Sequence, residues 1–145
     1  MKLKVIKKKH SGRDASGSVS VRHQGGQHKR FLRIVDFKRD KFGMVGKVVA
    51  FEYDPNRTCD LALVYYADGE KRYMLKPEGL NLGDSVVSGN DIEVKVGNAM
   101  PLNILPIGTI VHNVELHPGR GGKLARSAGT AAIVQAREDG FAHLK

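Results

Sequence analysis

Between His117 and Ser127 the chain sets Arg120, Lys123 and Arg126 among Gly119, Gly121 and Gly122, and after Glu115 no acid occurs until Glu138. Glycines lack a β-carbon, so the backbone can approach a bulky anion and offer its N–H groups to it. The cations bring charge to the same place. A nucleotide-binding loop is the rival reading, and the spacing rejects it. The phosphate-loop pattern needs four residues between its first glycine and a Gly-Lys pair followed by Ser or Thr. Here Leu124 follows Gly122-Lys123, and Gly119 lies only three positions before Gly122. The dinucleotide fingerprint fails as well, because Gly119-x-Gly121-x-x ends in Leu124. A loop that wraps a polyanion fits better, with Arg120, Lys123, Arg126 and Ser127 as contacts and His117 next.

A second set of candidate contacts lies upstream: Arg13, Arg22, His23, His28, Lys29, Arg30, Arg33, Lys38 and Arg39. Arginines clamp phosphates bidentately or stack on bases, whereas lysines act as point charges. His23 and His28 supply donors or stacking groups, and a polyanion favours their protonated form. Arg57 joins the set from a turn, where Asn56 serves the turn as readily as recognition. Asp36 and Asp54 read as turn or pairing residues, since carboxylates repel phosphate. A hydrolase built on His112, Glu115 and His117 is a poor geometry, because His112 and Glu115 fall on opposite faces of a strand. No catalytic residue is expected. The six histidines and Cys59 show no zinc-ligand spacing, so no metal or other cofactor is expected.

The formal net charge of +9 is concentrated at one end. Residues 1–40 hold 12 Lys or Arg against three acids, and the remainder balances 12 cations with 12 acids. This separates a basic arm, residues 1–30, from a neutral body. The arm alternates Lys7-Lys8-Lys9-His10-Ser11-Gly12-Arg13 with further Ser and Gly and cannot bury enough apolar surface to fold alone. Forty extended residues would reach roughly 130 Å at ~3.3 Å each. If ~6–10 cations met phosphates, affinity would fall ~10³–10⁵-fold between 50 and 200 mM salt. No amphipathic stripe suits a membrane surface, and no apolar run approaches the ~18 residues of a span. Met1–Lys9 is basic, but short and free of arginine, unlike a mitochondrial presequence. Lone Cys59 cannot form an internal disulfide, which points to a reducing compartment.

The body reads as strands. Phe31–Phe37 alternates; Val45–Tyr53 carries Val45, Val49, Phe51 and Tyr53 at odd positions and stops at Asp54-Pro55-Asn56. Leu61–Tyr66 and Lys71–Leu75 flank Asp68-Gly69, a strong hairpin signal. Short strands are expected at Ser85–Ser88 and Ile92–Val96. Five or six strands over 31–105 suggest a small closed barrel of the oligonucleotide-binding (OB) type. Its aromatics (Phe31, Phe37, Phe51, Tyr53, Tyr65, Tyr66, Tyr73) could stack bases, but their strand spacing reads as core. A second barrel starts near Pro106: strands at Ile107–Leu116 and Ala131–Arg137, an Asp139-Gly140 turn, and Phe141–Lys145. Three strands cannot close a barrel, and their open edge invites completion by another polypeptide.

These stretches resemble the N-terminal half of bacterial-type large-ribosomal-subunit protein two, a universal family. The resemblance rests on Ser11-Gly12-Arg13, Arg22-His23-x-Gly25-Gly26-x-His28-Lys29-Arg30 and Arg33-Ile34-Val35-Asp36-Phe37-Lys38-Arg39. It continues through Glu52-Tyr53-Asp54-Pro55-Asn56-Arg57, Ala62-Leu63-Val64-x-Tyr66-x-Asp68-Gly69-Glu70-x-Arg72-Tyr73, Gly79-Leu80-x-x-Gly83-Asp84 and the glycine-rich segment. It implies a mostly β fold: an extended basic arm (1–30), an OB barrel (31–105) and the first strands of an SH3-like barrel (106–145). It also implies a structural role, not an enzymatic one: binding large-subunit rRNA, supporting assembly of the peptidyl transferase region, and contacting other ribosomal proteins. Mg²⁺ would enter only through the rRNA. Typical members continue into a histidine-bearing extension, so no histidine here takes on that extension's role. A family split between two polypeptides implies a mitochondrial ribosome first, and a plastid or bacterial one second. A free-standing single-stranded nucleic-acid binder with an OB fold is the alternative.

Overall fold

The computed structural model describes residues 3–6, 10–25, 28–138 and 140–145. Lys7 to Lys9, Gly26 and the Asp139 half of the last turn lie outside the described residues. Among the described residues all regular elements are strands: β1 (Lys4–Ile6), β2 (Phe31–Arg33), β3 (Gly46–Glu52), β4 (Leu61–Tyr66), β5 (Lys71–Leu75), β6 (Ser85–Val86), β7 (Ile110–Val111), β8 (Ala132–Glu138) and β9 (Phe141–Leu144). They form three antiparallel sheets, β1-β2, β5-β4-β3-β6 and β7-β8-β9. The fold is mostly β, and the four-stranded sheet curls into the half-barrel of an OB-like fold.

β4 explains why this sheet organises the body. Its six residues, Leu-Ala-Leu-Val-Tyr-Tyr, contain no charge, as a strand covered on both faces requires. Ala62, Val64 and Tyr66 face a core with Val48, Met74, Leu80 and Val86. Leu61 joins Tyr73 and Leu75 in a second core, covered by Leu3, Val35, Phe37 and Leu63. The Asp68-Gly69 hairpin forms as read, with Tyr66 N–H donating to the Glu70 carbonyl at 2.9 Å.

Three strand expectations change. In β3 the pairing passes from Val48↔Val64 to Ala50↔Leu63, leaving Val49 as the extra residue of a bulge. The bulge flips the inward face: Gly46 and Val48 point in before it and Phe51 packs on the core after it, while Val45, Val49 and Tyr53 are exposed. A strict odd-position face therefore does not exist. Ile92–Val96 is a loop, not a strand, and Ser88 bridges instead to Phe42 and Ala99. In the second unit the long strand expected at Ile107–Leu116 shortens to β7, because Asn113 and Val114 turn away to bond Ala125 and Leu124.

The basic arm is tied at both feet. β1 pairs with β2 from Lys4↔Arg33 to Ile6↔Phe31, Leu3 enters the second core, and Lys4 pairs with Glu52 at 2.7 Å. Between the feet the chain doubles back: Arg13 bridges Val19, and Ser20 and Val21 donate to the Gly12 carbonyl. Asp14 Oδ1 holds this turn by accepting from Ser16 N, Ser16 Oγ and Ser18 N. The feet of the arm thus borrow apolar burial from the body.

Candidate nucleic-acid interface

Two basic surfaces result. The first is the loop above β1-β2. Arg13, Arg22, His23, His28, Lys29 and Arg30 are all exposed, and among the described residues none makes an ion pair. The Arg13 side chain donates to the nearby Gly17 carbonyl, and that of Arg30 to the Pro55 carbonyl. His23 takes a left-handed backbone at φ 62°, which turns the chain towards Gly25.

The second surface is a seam between the half-barrel and the glycine-rich segment. Phe37 is its centre. Its carbonyl accepts Gly122 N–H at 2.9 Å, and its ring lies under Arg126 at 4.7 Å and Arg57 at 5.7 Å. Such a guanidinium–ring contact holds Arg126 in place without neutralising it, whereas Arg57 is also paired with Asp54. Arg126 also donates to the Gly122 carbonyl, Cys59 Sγ to the Arg126 carbonyl, and Ala128 N–H to Thr58 Oγ1. Burial pushes the Cys59 thiol up, so it stays protonated as a donor. A Cβ on Gly121 would meet Lys38 Cγ and Phe37 Cβ at 3.4 Å, which places Lys38 against this loop. Gly122 leaves no room for any side chain, since the Asn113 side chain and carbonyl fill that space. Lys38, Arg57 and Arg126 thus come together around Phe37 from distant parts of the sequence, and Lys123 and Ser127 are exposed beside Gly122 and Arg126 in the chain. His117 and Arg120 lie on the exposed tip of the same loop.

Asp54 anchors the half-barrel side of the seam. It is fully buried, and accepts from Arg57 Nε at 2.6 Å and from Asn56 N and Nδ2. Burial alone would raise its pKa, but the Arg57 and Asn56 hydrogen bonds hold the carboxyl below the usual range. Asn56 Nδ2 also donates to the Phe31 carbonyl, tying the turn to β2. Arg33 approaches Asp54 to 3.8 Å and is mostly covered. The turn and pairing roles read for Asp54 and Asn56 describe these contacts.

Two expectations are corrected here. Arg39 is not at the surface: it is 8% exposed, with Nε on Ser88 Oγ, one terminal nitrogen on Met74 Sδ and the other on the Gly97 carbonyl. Its left-handed backbone (φ 53°) turns it inward beside half-buried His112, whose pKa falls through burial and then through the Arg39 charge. The loop N–H groups expected to face an external anion are taken internally. Gly119 and Gly121 donate to Glu115, Gly122 to Phe37, and Lys123 and Leu124 to Val114. The side chains, not the backbone, present the charge outward.

Phe37 as a platform for cations has no signal in the sequence, because an alternating aromatic looks like any core residue. Glu115 does carry a signal, a single acid just ahead of an otherwise acid-free basic loop, which fits an internal acceptor and not catalysis. Of the aromatics expected in the core, Tyr66 and Tyr73 are buried and Phe37 and Phe51 half-buried. Phe31, Tyr53 and Tyr65 are exposed, Tyr65 with Lys71 4.2 Å over its ring. Among the described residues no group of His, Cys, Asp and Glu could hold a metal ion.

Comparison with known families gives two matches that together cover nearly the whole chain. Residues 1–88 match "Ribosomal Proteins L2, RNA binding N-terminal domain", and residues 95–145 match "Ribosomal Proteins L2, C-terminal domain".

Proposed function

Because this chain belongs to the ribosomal protein L2 family, RNA-binding proteins of the large ribosomal subunit, we propose that its two basic surfaces grip large-subunit rRNA and support assembly of the peptidyl transferase region. The observation that carries this reading is the pairing of a protruding cationic loop with a rigid cationic seam on one small body. Two such surfaces suit a folded RNA that the protein bridges, since phosphate contacts fix register and orientation. The role is structural, and other ribosomal proteins are its neighbours. The ribosome concerned is of bacterial type, in a mitochondrion, a plastid or a bacterium. A second polypeptide adds to the β7-β8-β9 sheet; exposed Ile110, Ile133 and Phe141 (76% exposed) support this.

Sedimentation of a cell or organelle extract tests the proposal. The chain should travel with the large subunit and crosslink to its rRNA through residues of both surfaces. Recovery at the top of the gradient, free of ribosomal particles, would refute it and favour the free-standing single-strand binder.

A further inference from the structure

Glu115 is the only acid between Glu93 and Glu138, and the turn that carries Arg120 is folded around it. Its Oε2 accepts Gly119 N–H and its Oε1 accepts Gly121 N–H, both at 2.7 Å. Both glycines are left-handed, at φ 75° and 86°, and Arg120 lies between them. The two N–H groups, two residues apart, converge on one anion as in an anion-binding concavity, while the intervening Arg120 N–H donates to the His117 carbonyl at 3.2 Å. The carboxylate fills it with two oxygens, as a phosphate would. Behind it, Val114 is buried and its carbonyl receives Lys123 and Leu124.

Building on the RNA-binding reading, we propose that Glu115 is a positioning residue: an internal anion that locks the 115–121 turn so that Arg120 and Lys123 project towards RNA phosphates. Without the carboxylate, two convergent donors lose their acceptor, and a turn of glycines samples many conformations. RNA would then have to order the loop as it binds, which weakens association. The tether keeps Glu115 at high local concentration in the concavity, so outside anions do not displace it.

The proposal reverses the sign expected from charge alone. Removing an acid from a polyanion-binding loop should tighten binding by simple Coulombic attraction. The full chain is compared with its Glu115→Ala and Glu115→Gln variants for binding to a large-subunit rRNA transcript at constant ionic strength. Glu115→Ala should bind about 10-fold more weakly, with an unchanged unfolding midpoint. Glu115→Gln, which keeps one acceptor oxygen, should fall between the two. Replacing chloride with formate should restore Glu115→Ala, because formate refills the concavity, and should leave the unsubstituted chain unaffected. Hydrogen exchange at Gly119 and Gly121 should accelerate in Glu115→Ala and slow again in formate, with or without RNA. Equal or tighter binding by Glu115→Ala, or weaker binding that formate does not restore, would overturn the proposal. Failure of the unsubstituted chain to bind the transcript would instead refute the RNA-binding reading, and the exchange measurement would still decide the role of Glu115.

Discussion

The loop at residues 10–30 and the loop at 113–128 carry the same kind of charge and are held in opposite ways. Among the described residues, the first is fixed to the body at its feet, by β1-β2 and the Arg30–Pro55 bond, and shaped between them by contacts such as Asp14 to Ser16 and Ser18. The second is bonded to the half-barrel along its length, through Phe37, Thr58 and Cys59. Charge alone therefore does not distinguish them; attachment does. The first loop can adapt to an RNA surface, and the second can impose a shape upon it.

The largest effect should come from neutralising Arg13, Arg22, Lys29 and Arg30 together as glutamines. Losing about four phosphate contacts should weaken rRNA binding ~10²-fold at moderate salt and flatten the salt dependence by about three units of slope. Thermal stability should hold, since these side chains are exposed. An unchanged salt slope would remove the first loop from the interface. Next, Asp54→Ala should cost about 3 kcal/mol in denaturant unfolding, because it leaves Arg57 beside an empty buried site. It should also speed hydrogen exchange around Gly122 while leaving residues 14–18 untouched. If both loops loosened equally, the contrast between them would fail.

A smaller effect comes from matched glycines. Gly17 (φ 87°) has open space around it, whereas Gly121 (φ 86°) is hemmed in by Lys38 and Phe37. Alanine at either should cost about 1–2 kcal/mol locally through the left-handed backbone. Only Gly121→Ala should also weaken RNA binding, as a filter-binding titration would show. Acid gives the mildest contrast. Asp14 and Asp54 both have lowered carboxyl pKa values, from the Ser16 hydroxyl bond for Asp14 and from the Arg57 and Asn56 bonds overcoming burial for Asp54. A carboxylate whose folded pKa is depressed contributes stability above its unfolded value, near 4, and loses it as pH falls through the folded value. Below about pH 4 Asp54 should draw down global stability, while Asp14 should loosen only its own turn, visible as exchange at Ser16 and Ser18.

Some of this architecture was legible from residues alone. The Asp68-Gly69 hairpin, the uncharged β4 and the two basic segments follow from turn chemistry, period and charge, which are local. The Val49 bulge was not legible, because an inserted residue leaves alternation looking intact while reversing its face. Arg39 was misplaced for a related reason. Its sequence neighbours are polar and basic, and its acceptors, Ser88 and Gly97, are far along the chain. The candidate site was legible as a list of cations and not as a place. Phe37, which brings Arg57 and Arg126 together, acts through contacts between residues 20 and 89 positions apart.

The seam also sets an order of events during synthesis. Phe37, Thr58 and Cys59, the seats for the second loop, all precede it in the chain. At ~5–20 residues per second, the ~27 residues between Val86, the end of β6, and Asn113 give the half-barrel a lead of about one to five seconds. The later segment therefore emerges onto a finished docking surface and has no need to search for a partner that does not yet exist.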